Sequence, residues 1–213
     1  RLTVDAIWAV TPRDQADIWI VDMASSRRHV LDLGRWTDAA HVSVIWHQDR
    51  VSRWCKNRGS VANALAVQTA IRRLAAGSQR WVPRWLFAMH SDAFPIKRGW
   101  LDWLCQHPEP MVGTKASQRS GYPHAQGILF DYEALRDLSP NALLPNLPTY
   151  DALEGAARFL PHWSAWGLTH EPWTCDARTC PVTGWLEQES AEVSWDDEGD
   201  IFYVHKGGGT VNG

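Results

Sequence analysis

Three short apolar runs in this chain end in side chains able to ligate, titrate or donate. DIWIVD closes on Asp22, with Ser25 beyond it; WLFAM is followed by His90, Ser91 and Asp92; IFYV is followed by His205, Lys206 and three glycines. A carboxylate and an imidazole together can hold a divalent cation and leave positions open for phosphate oxygens and water. Such a cation acts as a Lewis acid on a departing diphosphate. Glycines 207–209 beside Lys206 would let backbone N–H groups approach that phosphate. Singly, each residue has a plainer role: Asp92 as a turn-capping carboxylate, His205 as a hydrogen-bonded histidine at a strand end. The coincidence of three run ends is what favours the metal reading.

The elements that must position these groups follow from the patterning. Residues 3–10, 17–22, 41–47, 84–90, 127–132 and 201–205 read as β-rich runs. Their apolar cores (IWIV, VSVIW, WLFAM, GILF) are continuous rather than alternating, which indicates strands buried on both faces and predicts a mostly parallel sheet. Between them, Ser60 is a plausible N-cap for a helix carrying Val67, Ile71 and Leu74 on one face and stopped by Gly77. A shorter helix holds Trp100, Leu101, Trp103 and Leu104. A third starts near Asp151, with Leu153, Ala157 and Leu160 in one stripe. Residues 162–200 have no clear period and read as loops wrapping the sheet. The expectation is one α/β domain over residues 1–213, with ligands beyond the carboxyl ends of its strands.

Composition narrows the functional classes. With 213 residues, 45% hydrophobic and 21% charged, the chain is globular rather than disordered or fibrous. No stretch approaches the roughly 20 apolar residues of a membrane span. Four cysteines are too few for a disulfide scaffold and point to a reduced, cytoplasmic setting; Cys175 and Cys180, near His170, are spaced unlike a tight zinc pair. There is no GxGxxG after a strand, no GxxxxGK[ST] and no GxSxG, which argues against a Rossmann dehydrogenase, a P-loop NTPase and an α/β-hydrolase. The 14 tryptophans suit sugar faces and bases as well as cores. The net charge of −3 is divided: residues 1–120 hold 17 Lys and Arg against 10 Asp and Glu, residues 121–213 hold 4 against 14. A basic half beside an acidic one suits a phosphorylated ligand held at one side, and equally an unevenly decorated surface.

The segments DIWIVDMASS, NRGSVANALAVQTAI, WLFAMHSDAFPIKRGWLDWL, YPHAQGILFDYEALRDL, YDALEGAARFL and FYVHKGGGT resemble, in order and spacing, the nucleotide-sugar glycosyltransferases of GT-A fold, most like family 2. The resemblance runs from about residue 17 to 210. It implies a GT-A, Rossmann-like sheet flanked by helices and a divalent metal, Mn2+ or Mg2+. It implies a nucleoside-diphosphate sugar as donor and a hydroxyl acceptor, with inversion at the anomeric carbon. WLFAMHSDAFP is similar to the strand bearing the Asp-X-Asp motif, which makes Asp92 a metal ligand, while His90 stands where the first Asp is usual. By the same resemblance His205 completes the metal site. Asp22 and Ser25 lie by the nucleotide, and His124, Gln126 and Gly127 shape the sugar and acceptor pocket; Arg58, His90 and Lys206 are the further candidates for binding the nucleotide sugar. Asp151 falls at the place of the general base, with Glu154 one turn on as its rival; a helix N-cap is the other role open to Asp151. Only residues 11–16 separate the first two runs, too few for the helix the family has there, so the expected fold is minimal or rearranged at its N-terminus.

The acceptor is a saccharide, another small molecule or a hydroxymethylated base of DNA, as glycosylated by some bacteriophage enzymes. The basic residues Arg27, Arg28, Arg50, Arg53, Lys56, Arg58, Arg72 and Arg73 would suit a phosphate backbone. A rival of another class is a sugar- or nucleotide-binding module without catalysis.

Overall fold

The computed structural model describes residues 2–25, 27–47, 59–77, 82–146, 149–160, 162–166, 168–174 and 187–205. The chain opens with helix α1 (Leu2–Val10), then strand β1 (Ile18–Met23), helix α2 (Arg27–Gly34) and strand β2 (Val42–His47). Helix α3 (Gly59–Ala75) leads to β3 (Trp85–Met89), β4 (Ala93–Pro95) and helix α4 (Trp100–Cys105). Next come β5 (Met111–Gly113), β6 (Gly127–Asp131) and helix α5 (Tyr132–Arg136). Two short 3-10 turns, Pro140–Leu143 and Glu154–Arg158, precede β7 (Ser164–Ala165), β8 (Leu168–Thr174), β9 (Glu187–Trp195) and β10 (Ile201–His205). No helix among the described residues is long and apolar enough to cross a membrane.

The described residues form a mixed α/β protein with three sheets: β1-β2, β3-β6-β5-β7 and β4-β10-β9-β8. The expectation of a mostly parallel sheet is corrected. β1 pairs β2 and β5 pairs β7 in parallel, whereas β6 runs antiparallel to both β3 and β5, and the third sheet is antiparallel throughout. The continuous apolar runs report burial on both faces, and here that burial is real. Ile128 and Phe130 of β6 pack with Val67 of α3 and with Leu135 and Leu153, while Leu129 faces a second core of Trp100, Leu104 and Phe202. Several tryptophans serve this second core, where Trp103 stacks 4.8–4.9 Å from Phe202 and Trp166.

Residues 3–10 form a helix, not a strand. Val4, Ile7 and Thr11 recur at helical spacing and are all buried, and α1 packs on β4. The β-branched content of the run suggested a strand, but tertiary packing overrides so weak a preference. The apparent shortage of residues between the first two runs disappears with it, because β1 is the first strand. Residues 168–174 and 187–195, expected as loops, are the long strands β8 and β9. The helix expected from Asp151 is a five-residue 3-10 turn whose N-cap is Leu153, held at φ 65° with no side-chain capping bond.

Candidate functional site

β3 and β10 end side by side, which brings their terminal polar residues together. Ligating atoms of His90, Asp92 and His205 all lie within 4.8 Å of one another. Antiparallel β4 and β10 fix this: Ala93 pairs with His205, so Asp92 precedes the paired residue. His205 Nε2 lies 3.4 Å from Asp92 Oδ1, and its Nδ1–H donates to Glu192 Oε2 at 2.8 Å. Glu192, the residue of β9 paired with His205, also accepts a hydrogen bond from the buried Lys115 Nζ. The His90 ring stands 5.7 Å from that of His205 and 6.4 Å from that of His124.

The charges in this cluster are strongly coupled. Burial disfavours a charged His205, but hydrogen bonds to Asp92 and Glu192 outweigh it and raise its pKa above the usual 6.5. Burial likewise opposes ionisation of Glu192, yet the bonds from His205 and Lys115 hold its carboxyl at about 2. His205 lowers the pKa of Asp92 by hydrogen bonding. The pKa of His90 is pushed the other way, below the usual 6.5, first by burial and then by the charge of His205.

The cluster borders a cleft of about 1160 Å³ between β1, α3 and β3. Its lining includes the polar residues His90, Asp92, His124, Asp151, Glu192 and His205, together with the apolar Trp19, Trp85 and Leu74. A smaller cavity of about 390 Å³ is lined by Lys115, Ser117, Arg119 and Glu154 and shares His124, Asp151 and Glu192 with the larger one. His124, Asp151 and Glu192 therefore stand where the two spaces meet.

The two expected carboxylates differ. Asp151 is half-buried, faces both cavities, and its Oδ1 accepts from its neighbour Ala152 N at 2.6 Å. Glu154 is 1% exposed, and its Oε2 accepts from Ser120 Oγ at 2.8 Å and Asp151 N at 3.0 Å. Its Oε1 has no hydrogen-bond partner among the described residues and lies 3.8 Å from His124 Nε2. The Gln126 backbone N–H donates to His124 Nδ1 at 3.2 Å, so the proton of the neutral ring sits on Nε2. Burial first, then Lys115 and His90, lower the pKa of His124 to about 3.

The other expected residues lie elsewhere. Trp19, Val21 and Met23 present the cleft face of β1, whereas Asp22 is 3% exposed and its carboxylate receives Ser25 N at 3.3 Å, bracing the turn after the strand. Gln126 is fully buried; its carbonyl accepts from Tyr203 O–H at 2.7 Å and His90 N at 3.1 Å, and its side-chain amide has no hydrogen-bond partner among the described residues. Gly127 sits where a Cβ would come within 2.9 Å of both the Thr114 side chain and the Tyr203 ring, so this position is glycine for close approach. Arg58, Lys206 and glycines 207–209 lie outside the described residues, as do Cys175 and Cys180.

Sequence reading missed Glu192 and Lys115. Lys115 closes the run MVGTK by the same strand-end rule that found His90. ESAEVSW and IFYVH flank the turn-forming DDEGD, a hairpin signal that would have put Glu192 on a strand beside His205.

Two imidazoles and a carboxylate fit a divalent transition cation. The Glu192 carboxylate accepts the His205 Nδ1–H and leaves Nε2 facing Asp92, the arrangement in which an outer carboxylate orients a ligating histidine. Comparison of the chain with protein-family models, with curated proteins and with solved structures yields no match.

Proposed function

We propose that the protein is a metal-dependent glycosyltransferase of GT-A type, moving a sugar from a nucleoside diphosphate to a hydroxyl acceptor with inversion. The observation that carries this reading is the junction of two cavities: a carboxylate, Asp151, and a metal-competent pair, Asp92 and His205, border one cleft. The larger cleft has room for a nucleotide sugar, with Trp19 and Trp85 offering flat surface to a base, and the smaller cavity suits the acceptor. A divalent cation bound by Asp92 and His205 would neutralise the departing diphosphate. Asp151 takes the proton of the acceptor hydroxyl as its oxygen attacks the anomeric carbon. Glu154 is the weaker candidate for base, since one of its oxygens is spent on Ser120 and the Asp151 amide. Lys115 and Glu192 hold His205 in its orientation.

The test is release of nucleoside diphosphate from a panel of donors with Mn2+, with EDTA, and in Asp92→Asn. A metal worth several kcal/mol to the transition state makes the expected loss roughly 10³-fold or more. Full turnover in EDTA or in Asp92→Asn overturns metal dependence. Tight donor binding with no hydrolysis or transfer means a binding module without catalysis.

A further inference from the structure

We propose that His90 is a metal ligand, so that His90, Asp92 and His205 form a two-imidazole, one-carboxylate site selective for a transition cation over Mg2+. The inference deepens the metal reading above and rests on it for the use of the site.

Three observations point the same way. The ligating atoms of the three residues share a space less than 4.8 Å across, small enough for one cation to reach all of them. The His90 ring has no hydrogen bond among the described residues, whereas His124 accepts one from Gln126 and His205 faces two carboxylates. Its backbone is nevertheless tied down: His90 N donates to Gln126 O at 3.1 Å and Ala93 N donates to His90 O at 3.3 Å. The chain thus fixes an imidazole at this spot and leaves its nitrogens uncommitted. A satisfied core histidine would show the opposite.

The donor set decides the ion. Mg2+ takes an octahedron of oxygens and gives up water reluctantly, so two nitrogen ligands suit it poorly. Mn2+, Co2+ and Zn2+ accept imidazole, with affinity rising from Mn2+ to Co2+. His205, braced by Glu192, and His90, braced through its backbone, supply two such nitrogens. The half-exposed Asp92 supplies one negative charge and leaves the outer side open for diphosphate oxygens.

The experiment titrates the full chain with Co2+ alone, reading the visible absorption of the bound ion, and then competes it with Mg2+ or Mn2+. The expected result is one Co2+ per chain, displaced by Mn2+ in excess but not by a hundredfold excess of Mg2+. His90→Asp should weaken Co2+ binding at least tenfold, change its spectrum and let Mg2+ compete. His90→Gln should weaken Co2+ without admitting Mg2+, with folding of both variants checked by circular dichroism. Unchanged Co2+ affinity and spectrum in both folded variants overturn the inference, as does stoichiometric displacement of Co2+ by Mg2+ in the unaltered chain. Selective Co2+ binding in a chain that turns over no nucleotide sugar sustains this site and overturns the proposed function, so the two fail separately.

Discussion

Among the described residues, two clusters bring three potential metal ligands together, and they differ in what already sits between them. Asp196, Glu198 and Asp200 converge in the β9–β10 turn, but Lys97 Nζ stands among them at 2.6, 2.9 and 3.0 Å. At the other end of β10, His205 stands between Asp92 and Glu192. In each cluster a basic side chain already faces the carboxylates, Lys97 facing three and His205 facing two. The lysine has its pKa raised by hydrogen bonds to the three carboxylates and has no lone pair to offer while charged. The histidine can release its proton and become a ligand. Proximity of ligands is therefore a poor guide by itself; the decisive property is whether the resident charge can leave.

The largest expected effect breaks the active cluster at its base. Asp151→Asn should leave Co2+ binding intact and lower sugar transfer by about 10²–10⁴, measured as product formed with saturating donor. Glu154→Gln should instead cost stability, about 1–3 kcal/mol by urea denaturation, because a buried acceptor of two hydrogen bonds is disturbed. A fully active Asp151→Asn with an inactive, folded Glu154→Gln would transfer the role to Glu154. Next, Glu192→Gln should weaken Co2+ binding by about 10–100-fold, as loss of an outer carboxylate does. Unchanged affinity would remove Glu192 from the site.

The comparison sharpens with pH. Because the folded-state pKa of His205 is raised, its contribution to the metal-free protein is fully present below pH 6.5 and fades as pH climbs through the raised value. Metal affinity must run the opposite way, rising by up to about tenfold per pH unit until that proton is gone. Melting temperatures in EDTA and Co2+ titrations across the same range check both signs. The smallest effect belongs to the turn cluster. Lys97→Met should leave turnover and Co2+ affinity unchanged and cost no more than about 1 kcal/mol per ion pair lost, as half-exposed pairs do. A large loss of metal affinity in Lys97→Met would mean the two ends of β10 are coupled.

The sequence was a better guide to which residues come together than to the sheet around them. His90, Asp92 and His205 were legible because each ends an apolar run, and strand ends are where α/β proteins collect chemistry. Strand direction was not legible: GILF is buried on both faces by α3 on one side and the aromatic core on the other, a condition that antiparallel neighbours satisfy as well as parallel ones. LTVDAIWAV misled because its β-branched residues also fall at helical spacing. Residues 187–195 hid as a strand because they are acidic and polar, yet that acidity includes the carboxylate that orients His205. Asp22 ends its run as His90 does, but strand alternation turns its side chain away from the cleft and into the following turn.

The cleft has one consequence for motion. β1 pairs with β2 alone and β3 with β6 alone among the described strands, so no backbone ladder crosses between the two walls. A two-stranded sheet is marginal by itself, and this one leans on α3. Its local opening free energy is therefore expected at the low end of the molecule's range. A ligand touching both walls acts as the missing stitch: at a hundred times its Kd it adds about 2.7 kcal/mol to whatever it holds closed. The amide protons of β1 and β2 then report occupancy, exchanging quickly in the empty protein and slowly once the cleft is filled.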